Sequence, residues 1–360
     1  MPTPTTFEKV DQTFNFGTEN LAVALLCCPS ESRLNHYLPQ HLLYDFFKTI
    51  MQKFIEIGRK KFYNKIIRIN YTERNLSMNI RQIKAETVTE TVKQLFLDCN
   101  YFIGKDIMTA LENARENEKS EVGKSVLTQI IENDKLAAKE EVPLCQDTGM
   151  AILFVEYGDK VVIEDGSFED AVNEGVRQAY KDGYLRKSVV NDPVFDRLNT
   201  KDNTPAIIHT KIVSGDKIKI TAGGKGFGSE NMSAIKMLTP SYGIDGVKKF
   251  ILDTVRTAGP NPCPPIVVGV GIGGTFERCA QLAKKATFRA IDTHNADERY
   301  AKLEDELLES INKMGFGPAG LGGTTTAIGV NIETSPTHIA GMPVAVNICC
   351  HAARHASAEI

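Results

Sequence analysis

The sequence predicts a mixed α/β (α+β) protein in which a helix-rich N-terminal part precedes interleaved strands and helices. The stretch from about residue 83 to residue 135 is rich in Glu, Lys and Ala and repeats apolar residues at helical spacing. Beyond it, short β-branched runs alternate with amphipathic stretches in no regular order. No internal repeat or low-complexity tract interrupts this pattern. Irregular interleaving favours more than one sheet over a single parallel sheet.

The individual elements follow from local periodicity. Runs of four to eight residues that are rich in Val and Ile predict strands, and longer stretches with apolar residues every three to four positions predict helices. In chain order we predict strands at Met150–Val155 and Val161–Ile163, a helix at Phe168–Asp182, strands at Ala206–Val213, Lys217–Thr221 and Ile266–Val270, helices at Thr275–Ile291 and Ala301–Lys313, and a strand at Val344–Ile348.

The chain changes character near Met78. Residues 1–77 contain a Pro/Thr-rich start, a helix-like stretch from about 40 to 57 and a basic run. Met78 opens a sequence typical of a natural start, and Glu73-Arg74-Asn75 is compatible with a purine-rich ribosome-binding site upstream. We therefore expect residues 1–77 to be an extension, either a packed amphipathic helix or a mis-assigned gene start, and 78–360 to be the functional domain.

Composition excludes several classes of function. The formal net charge is -3 and Trp is absent, so the sequence predicts neither nucleic-acid binding nor a general attraction to acidic membranes. No apolar run approaches the ~20 residues of a membrane-spanning helix. No secretory signal is evident, so we expect a cytoplasmic protein whose 8 cysteines are reduced. A buried cysteine can simply serve as a small apolar residue.

Three cysteines lie beside turn-forming or polar residues. Cys145 is in VPLCQDTGM, Cys263 in GPNPCPPI and Cys350 in NICCHAARH. Ligands this far apart do not form a compact zinc knuckle or a ferredoxin-type run. Three dispersed thiolates can nevertheless hold a [4Fe–4S] cluster and leave one iron open, which suits Lewis-acid catalysis.

Five ordered motifs make the chain resemble the class I (iron–sulfur) fumarase and L(+)-tartrate dehydratase family, and within it the stand-alone alpha subunit. The resemblance runs from about Met78 to Ile360. The motifs are CQDTG from Cys145, LRKSVVNDPVFDRLNT from Leu185, KGFGSENMS from Lys225, GPNPCPPIVVGVGIGGT from Gly259 and GLGGTTTAIGV from Gly320.

The resemblance implies roles for individual residues. Cys145, Cys263 and Cys350 match the ligands of a [4Fe–4S] cluster, around which we expect the sheets to be arranged. Cys350 is chosen over Cys349 because the family cysteine directly precedes His-Ala-Ala-Arg-His. Asp147 is expected to protonate the departing hydroxyl. The residues expected to bind substrate are Gln146, Arg186, Gly228 and His338.

The expected reaction is the reversible hydration of fumarate to L-malate, with L(+)-tartrate dehydration as the alternative. In fused members of the family the catalytic base is a threonine of a C-terminal domain that this sequence lacks. The resemblance therefore implies a beta subunit that completes the active site, and we expect a hetero-oligomer of two alpha and two beta chains.

Other interpretations of the same residues stay open at this point. Asp147 could cap a turn, Arg186 could pair with Asp192 or Asp196, and His338 could be a buried turn histidine. Gly223, Gly224 and Gly226 compete with Gly228, and His351, Arg354 and His355 could flank the cluster or line a subunit interface.

The cysteines could also belong to a non-catalytic iron–sulfur or zinc module. Gly269–Gly274 satisfies the dinucleotide pattern G-x-G-x-x-G, although a convincing acidic partner is missing.

Overall fold

A computed structural model describes residues 80–360. The helix expected near residues 40–57 and the change of character at Met78 lie outside these residues. The described part confirms the mixed α/β class, with helices first and three small sheets after them.

The helix-rich part contains three helices after one short strand. Strand β1 (Arg81–Lys84) pairs in parallel with β3 (Val161–Glu164) to form a two-stranded sheet. Three helices follow: α1 (Ala85–Tyr101), α2 (Lys105–Asn117) and α3 (Glu121–Glu140). Gly104 precedes α2. Ser120 caps α3, because its hydroxyl accepts from the Gly123 N–H. Residues 81–84 are therefore extended where the sequence predicted the start of a helix.

The first four-stranded sheet, called sheet one, has the strand order β10-β5-β2-β4. Helices α1 and α4 cover one face of it, and Phe96, Tyr180 and Leu153 are completely buried there. The alternation of β-strand side chains leaves the opposite face partly polar. The bounds are β2 (Met150–Gly158), α4 (Phe168–Asp182), β4 (Ile207–Val213), β5 (Ile218–Lys225) and β10 (Ala356–Glu359).

The second four-stranded sheet, called sheet two, has the order β6-β9-β7-β8. Helices α6 and α8 cover one face through an aliphatic core, and α7 packs on the other. The bounds are α5 (Phe227–Glu230), β6 (Ala234–Leu238), α6 (Gly243–Ala258), β7 (Ile266–Gly273), α7 (Phe276–Ala286), α8 (Glu298–Asn312), β8 (Ala327–Ser335) and β9 (Met342–Cys349).

The glycines of the G-x-G-x-x-G pattern have a packing role. Gly269 and Gly271 lie inside β7, not in the loop after it. A Cβ at Gly269 would lie 2.2 Å from the carbonyl oxygen of Ala283, and one at Gly271 would lie 2.0 Å from that of Cys279. The missing side chains therefore allow the backbone of α7 to lie directly on the strand.

Several elements escaped the sequence prediction. Strands β6 and β10 are short edge strands with polar residues, so they lack the apolar run of a buried strand. Helix α6 does carry a helical apolar stripe through Val247, Ile251 and Val255, and its signal was present in the sequence. Strand β8, the other edge strand of sheet two, was also missed, although it runs in parallel beside β7 and most of its residues are buried.

Hydropathy across the described helices does not support a bilayer crossing: among residues 80–360 no helix combines the necessary length with the necessary apolar character.

Candidate active site

The loop between α3 and β2 carries three of the predicted site residues. Cys145 and Asp147 are half-buried in this loop, and Gln146 is exposed. The hydroxyl of Tyr180 fixes the end of the loop by donating to the carbonyls of Thr148 (3.0 Å) and Gly149 (2.9 Å). Gly149 has a φ of +77°, and a Cβ there would lie 2.4 Å from the backbone of Lys225. Only glycine fits this contact, so the loop is held close to the end of β5.

Cys263 occupies a tight turn between α6 and β7. Its φ is +55°, in the left-handed region that non-glycine residues seldom adopt. The Cys263 N–H donates to the carbonyl of Pro260 (3.2 Å). The turn is braced from outside because the Ala319 N–H donates to the carbonyl of Pro264 (2.7 Å). The residue itself is exposed, so its thiol is free to serve as a ligand.

The two adjacent cysteines after β9 have different environments. Cys349 is the last residue of the strand, pairs with Val267 and belongs to an apolar cluster. Cys350 follows the strand and is only half-buried. The hydrogen bond with Cys350 and the charges of Lys225, Arg354 and Lys284 lower the pKa of Cys349 to about 6 against the effect of burial. The bond with Cys349, together with burial, raises the pKa of Cys350. The pair therefore favours one thiolate at this end of β9.

Cys263 lies within electrostatic reach of Cys145 and Cys350, and the three together remain the predicted ligand set. Burial raises the pKa of the Cys263 thiol, and the nearby charges of Cys350 and Cys145 raise it further. Cys349 does not contribute to this effect. Within residues 80–360, no three His, Cys, Asp or Glu side chains are close enough to hold a single metal ion. The three cysteines therefore do not form a compact site for a lone ion, and an iron–sulfur cluster stays a prediction.

Asp147 is held by backbone groups. Its Oδ1 accepts from the Gly149 N–H (3.1 Å), and its Oδ2 accepts from the Phe227 N–H at the start of α5 (2.9 Å). A Cβ at Gly226 would lie 3.1 Å from Oδ2. The carboxylate is thus oriented by the Gly-rich segment after β5, and one of its bonds is that of a turn aspartate. The turn interpretation and a catalytic role are compatible here.

Arg354 is a buried guanidinium beside this carboxylate. Only 4% of the residue is exposed. Its Nη2 donates to the backbone carbonyl of Asp147, and its Nε donates to that of Gly224 (3.2 Å). Its Nη1 has no hydrogen-bond partner among the described residues. Asp134 is near enough for the guanidinium to lower its pKa, but burial dominates and raises that pKa to about 6.

A second buried cationic group lies behind Cys349. Lys225 is 2% exposed and pairs with Glu230 (Nζ to Oε2, 3.2 Å), and Lys284 pairs with the other oxygen of the same carboxylate. Two lysines therefore share one carboxylate, and Arg354 adds a further positive charge. Buried charges normally occur in balanced pairs. The excess positive charge suits a site that holds thiolates and an anionic substrate.

Arg186 and Gln146 meet at the exposed edge of the site. The Arg186 Nη1 donates to the Gln146 Oε1 (3.2 Å). The Thr148 hydroxyl donates to the Arg186 carbonyl (3.1 Å), which ties the two loops together. Among the described residues no carboxylate lies within ion-pair distance of Arg186, and Asp192 instead accepts from the N–H of Val194 (2.9 Å). The ion pairs with Asp192 and Asp196 are therefore not formed.

Gly228 directly follows Phe227, whose N–H donates to Asp147, whereas His338 lies apart from the other predicted residues. Gly228 is exposed in α5, and a Cβ there would meet nothing within 4 Å. His338 is exposed in the loop between β8 and β9, with its Nδ1 accepting from the Ala340 N–H (3.2 Å), so it is not a buried histidine. That loop lies at the opposite end of β9 from Cys350, roughly 23 Å away along the strand at about 3.3 Å per residue. Both residues remain predictions.

The two histidines after Cys350 are partly buried, and the described residues provide no hydrogen-bond partner for the Nδ1 of His351 or of His355. Burial lowers the pKa of both. An electrostatic interaction with Cys350 opposes this effect at His351, so His351 flanks the cysteine. His355 lies near the ring of Phe288, 6.2 Å between centroids, on the side of sheet one.

Glu118 supports the site from a distance and was missed in the sequence. Its carboxylate accepts from the N–H groups of Thr324 (2.8 Å) and Thr325 (2.8 Å) and from that of Ser120 (3.0 Å). Although burial raises it, these donors lower the pKa of Glu118 to about 2. The anchored loop is the one whose Ala319 braces the Cys263 turn. Nothing in the sequence around Glu118 signals a contact more than 200 residues away.

Lys225 and Arg354 were quoted within motifs, but their burial is visible only in the fold. The lysine in KGFGSENMS and the arginine in HAARH would both be expected at the surface, because these residue types are rarely buried.

Comparisons with known proteins agree with this geometry. The family model for fumarate hydratase (fumerase) matches residues 89–359. A protein of Methanocaldococcus jannaschii, provisionally named L(+)-tartrate dehydratase subunit alpha, is 44% identical over 277 residues, which is 76% of this chain and 97% of the relative. The L(+)-tartrate dehydratase subunit alpha of Escherichia coli (strain UTI89 / UPEC) is 31% identical over 289 residues, 79% of this chain and 94% of the relative.

The family model and the relatives thus define an alpha subunit of a hydro-lyase. The chain belongs to the fumarase and L(+)-tartrate dehydratase family.

Proposed function

We propose that this chain is the alpha subunit of an L(+)-tartrate dehydratase, which removes water from the dihydroxy dicarboxylate to give oxaloacetate. The identity of 44% with a relative that bears this name carries the proposal. The motifs alone favoured fumarate hydration, with tartrate as the alternative. The comparisons reverse that order because the two relatives described above are both named for tartrate.

The chain's own residues supply most of the polar contacts that this reaction needs. Arg186 has a planar fork that no carboxylate of the described residues pairs with, and Gln146, to which its Nη1 donates, offers an amide to a hydroxyl or a second carboxylate oxygen. Asp147 is placed by two backbone N–H bonds next to Cys145. From this position it acts as the proton donor to the departing hydroxyl. The proximity of Arg186, Gln146 and Asp147 supports a single binding cleft.

The cofactor belongs to the same proposal. Cys145, Cys263 and Cys350 would hold a [4Fe–4S] cluster, and the positive charge of Arg354 and the two buried lysines would balance its thiolates. When bound, the cluster supplies an iron with an open position that polarises the hydroxyl to be lost. The side chains that bind and orient the substrate all come from the protein.

The partner is a beta subunit, as the names of the relatives suggest. We assign its docking surface to the loop that carries Arg186. Four large apolar side chains, Tyr184, Val194, Phe195 and Leu198, are 61–91% exposed there. Apolar groups this exposed beside a substrate-binding arginine mark a surface that another protein covers. The beta subunit would then exclude water from the cleft and supply the base.

His338 fits the proposal through a second alpha chain. The position of His338 at the far end of sheet two separates it from the cysteines of its own chain. In an assembly of two alpha and two beta chains, the exposed loop of one alpha subunit would reach the substrate of the other.

Comparative kinetics test the substrate. The alpha–beta complex, purified without oxygen, is assayed with L(+)-tartrate, with fumarate and with L-malate under the same conditions. We expect kcat/KM for L(+)-tartrate to exceed that for fumarate by at least about tenfold. A preference for fumarate would refute the tartrate assignment. Fumarate hydration is the second candidate because the matching family model bears that description.

Iron and acid-labile sulfide counts test the cluster independently of turnover. The wild-type chain should bind about four of each. Cys350→Ser should lose most of this content, whereas Cys349→Ser should keep it. Cys279→Ser, at a buried cysteine of α7, is the matched control. Retention of the full iron content in Cys350→Ser would show that the ligand set is wrong.

A further inference from the structure

A basic cleft lies between the polar face of sheet one and helix α7, and none of the predicted ligand cysteines lines it. It has a volume of about 430 Å³. One acidic residue, Glu156, lines it. Four cationic residues also line it: Lys211, Lys219, Arg278 and Lys285. Its formal charge is therefore +3 on a chain whose net charge is -3. The cleft concentrates positive charge that the chain as a whole does not have.

The fold produces this concentration in a regular way. In sheet one, Glu156 of β2 is the cross-strand neighbour of Lys211 of β4 on one side and of Lys219 of β5 on the other. Across the cleft, Arg278 and Lys285 are seven residues apart on α7 and so lie on the same face of the helix. Both walls thus direct cations into the same space.

These cations lack internal partners. Among residues 80–360, no carboxylate lies within 4.0 Å of the side-chain nitrogens of Lys211, Lys219, Arg278 or Lys285. Glu359 is the cross-strand neighbour of Lys219, but it pairs with Lys217. Arg278 makes only a neutral bond, to the Oε1 of Gln281 (2.7 Å). The four side chains are exposed, so their charges are available to an anion that enters the cleft.

The floor of the cleft is aromatic and rigid. The rings of Phe154 and His209 are stacked, with 4.9 Å between centroids, and the ring of Phe288 packs on Phe154 at 5.4 Å. The space is large enough for a small metabolite and too small for a protein domain. We propose that the basic cleft binds a small polyanion with about three negative charges, a tricarboxylate or a polyphosphate.

Strand β2 links this cleft to the candidate active site. The strand begins just after Asp147, and Phe154 and Glu156 lie further along it. A ligand in the cleft would therefore contact the strand that follows the Asp147 loop. Binding itself can be tested without reference to the substrate of the enzyme.

Isothermal titration calorimetry on the full alpha–beta complex tests the proposal, with tripolyphosphate and citrate as separate probes at about 50 mM salt. We expect saturable binding of one or both, with a dissociation constant below about 1 mM. The probe that binds more tightly distinguishes a phosphate ligand from a tricarboxylate. Failure of both probes to bind would overturn the proposal.

The double variant Lys211→Gln/Lys285→Gln should weaken binding about tenfold, since each lost cation weakens it severalfold. Lys160→Gln/Lys302→Gln removes the same charge at exposed positions outside the cleft and should change binding less than about twofold. Equal losses in both variants would reduce the effect to net charge and refute a site. Binding by the alpha chain alone that disappears in the complex would show that the beta subunit covers the cleft, which also overturns the proposal.

Discussion

The two loops that form the candidate substrate cleft differ in how firmly the chain holds them. Asp147 is fixed by two backbone N–H donors, by Arg354 at its carbonyl and by Tyr180 just beyond it. Arg186 is exposed, and its guanidinium donates only to the amide of Gln146. Its loop ends in apolar side chains that face solvent. The difference indicates that the Asp147 loop is preorganised in this chain, whereas under the proposed function the Arg186 loop is completed by a partner.

Removal of the Asp147 carboxylate should have the largest effect. Asp147→Asn keeps the size and one oxygen acceptor but cannot deliver a proton, so kcat of the complex should fall about 10³-fold. The iron content should stay that of the wild type. Asp165→Asn, at a turn remote from the site, serves as the control for loss of one negative charge. Retention of more than about a tenth of wild-type kcat in Asp147→Asn would rule out its role as the acid.

Arg354 tests whether the Asp147 loop depends on one buried guanidinium. Arg354→Gln leaves the carbonyls of Asp147 and Gly224 without their donor, so we expect a loss of about 3 kcal/mol of unfolding free energy. We also expect a fall of roughly 100-fold in kcat with little change in KM, because the acid is displaced while Arg186 remains.

Arg354→Lys keeps the charge and should fold, but it cannot serve both carbonyls with one planar fork. It should recover stability more than kcat. Arg299→Gln, at an exposed arginine of α8, is the control. Equal recovery of stability and kcat in Arg354→Lys would indicate that charge alone matters.

Glu118 makes the free energy of unfolding depend on pH. Its pKa is about 2 in the folded chain, below the ordinary 4.5, so its stabilising effect is complete above pH 4.5 and is lost as pH falls toward 2. The shift corresponds to about 3 kcal/mol at neutral pH. Urea unfolding of wild type and of Glu118→Gln should therefore differ most near pH 7 and converge near pH 2. A constant difference across this range would exclude the charge as the cause.

The apolar loop should show the smallest effect, confined to assembly. Phe195→Ser/Leu198→Ser should weaken the affinity of the alpha chain for its beta subunit about tenfold or more. The iron content of the isolated alpha chain should not change. Val122→Ser/Leu136→Ser, at two exposed positions of α3, is the matched control. Unchanged affinity in the loop variant would place the interface elsewhere.

Most of the elements could be predicted because their signal is local. The helix at Phe168–Asp182 matches the prediction at both ends, since Ser167 caps it and an apolar stripe runs along it. The strand predicted at Val344–Ile348 lies within β9. Elements whose stability comes from pairing, such as the edge strands β6 and β10, left no comparable pattern in the sequence.

The candidate site divides in the same way. The sequence motifs identified which residues carry chemistry, because a cysteine, an aspartate and an arginine in ordered motifs limit what the site can do. Motifs give no distances, so they could not separate Arg186, which lies beside Gln146, from His338, which lies at the other end of sheet two.

By itself the sequence determined the family, the fold class and the residue types available for the reaction. Only the tertiary structure decided that Cys349 is buried in an apolar cluster while Cys350 is half-buried beyond the strand, and that Arg354, Lys225 and Lys284 are buried cations. It also decided that Glu118 supports the Cys263 turn through a contact distant in the chain. The physical reason is that periodicity and motifs are short-range properties, whereas burial and the balance of charge depend on which distant segments the fold brings into contact.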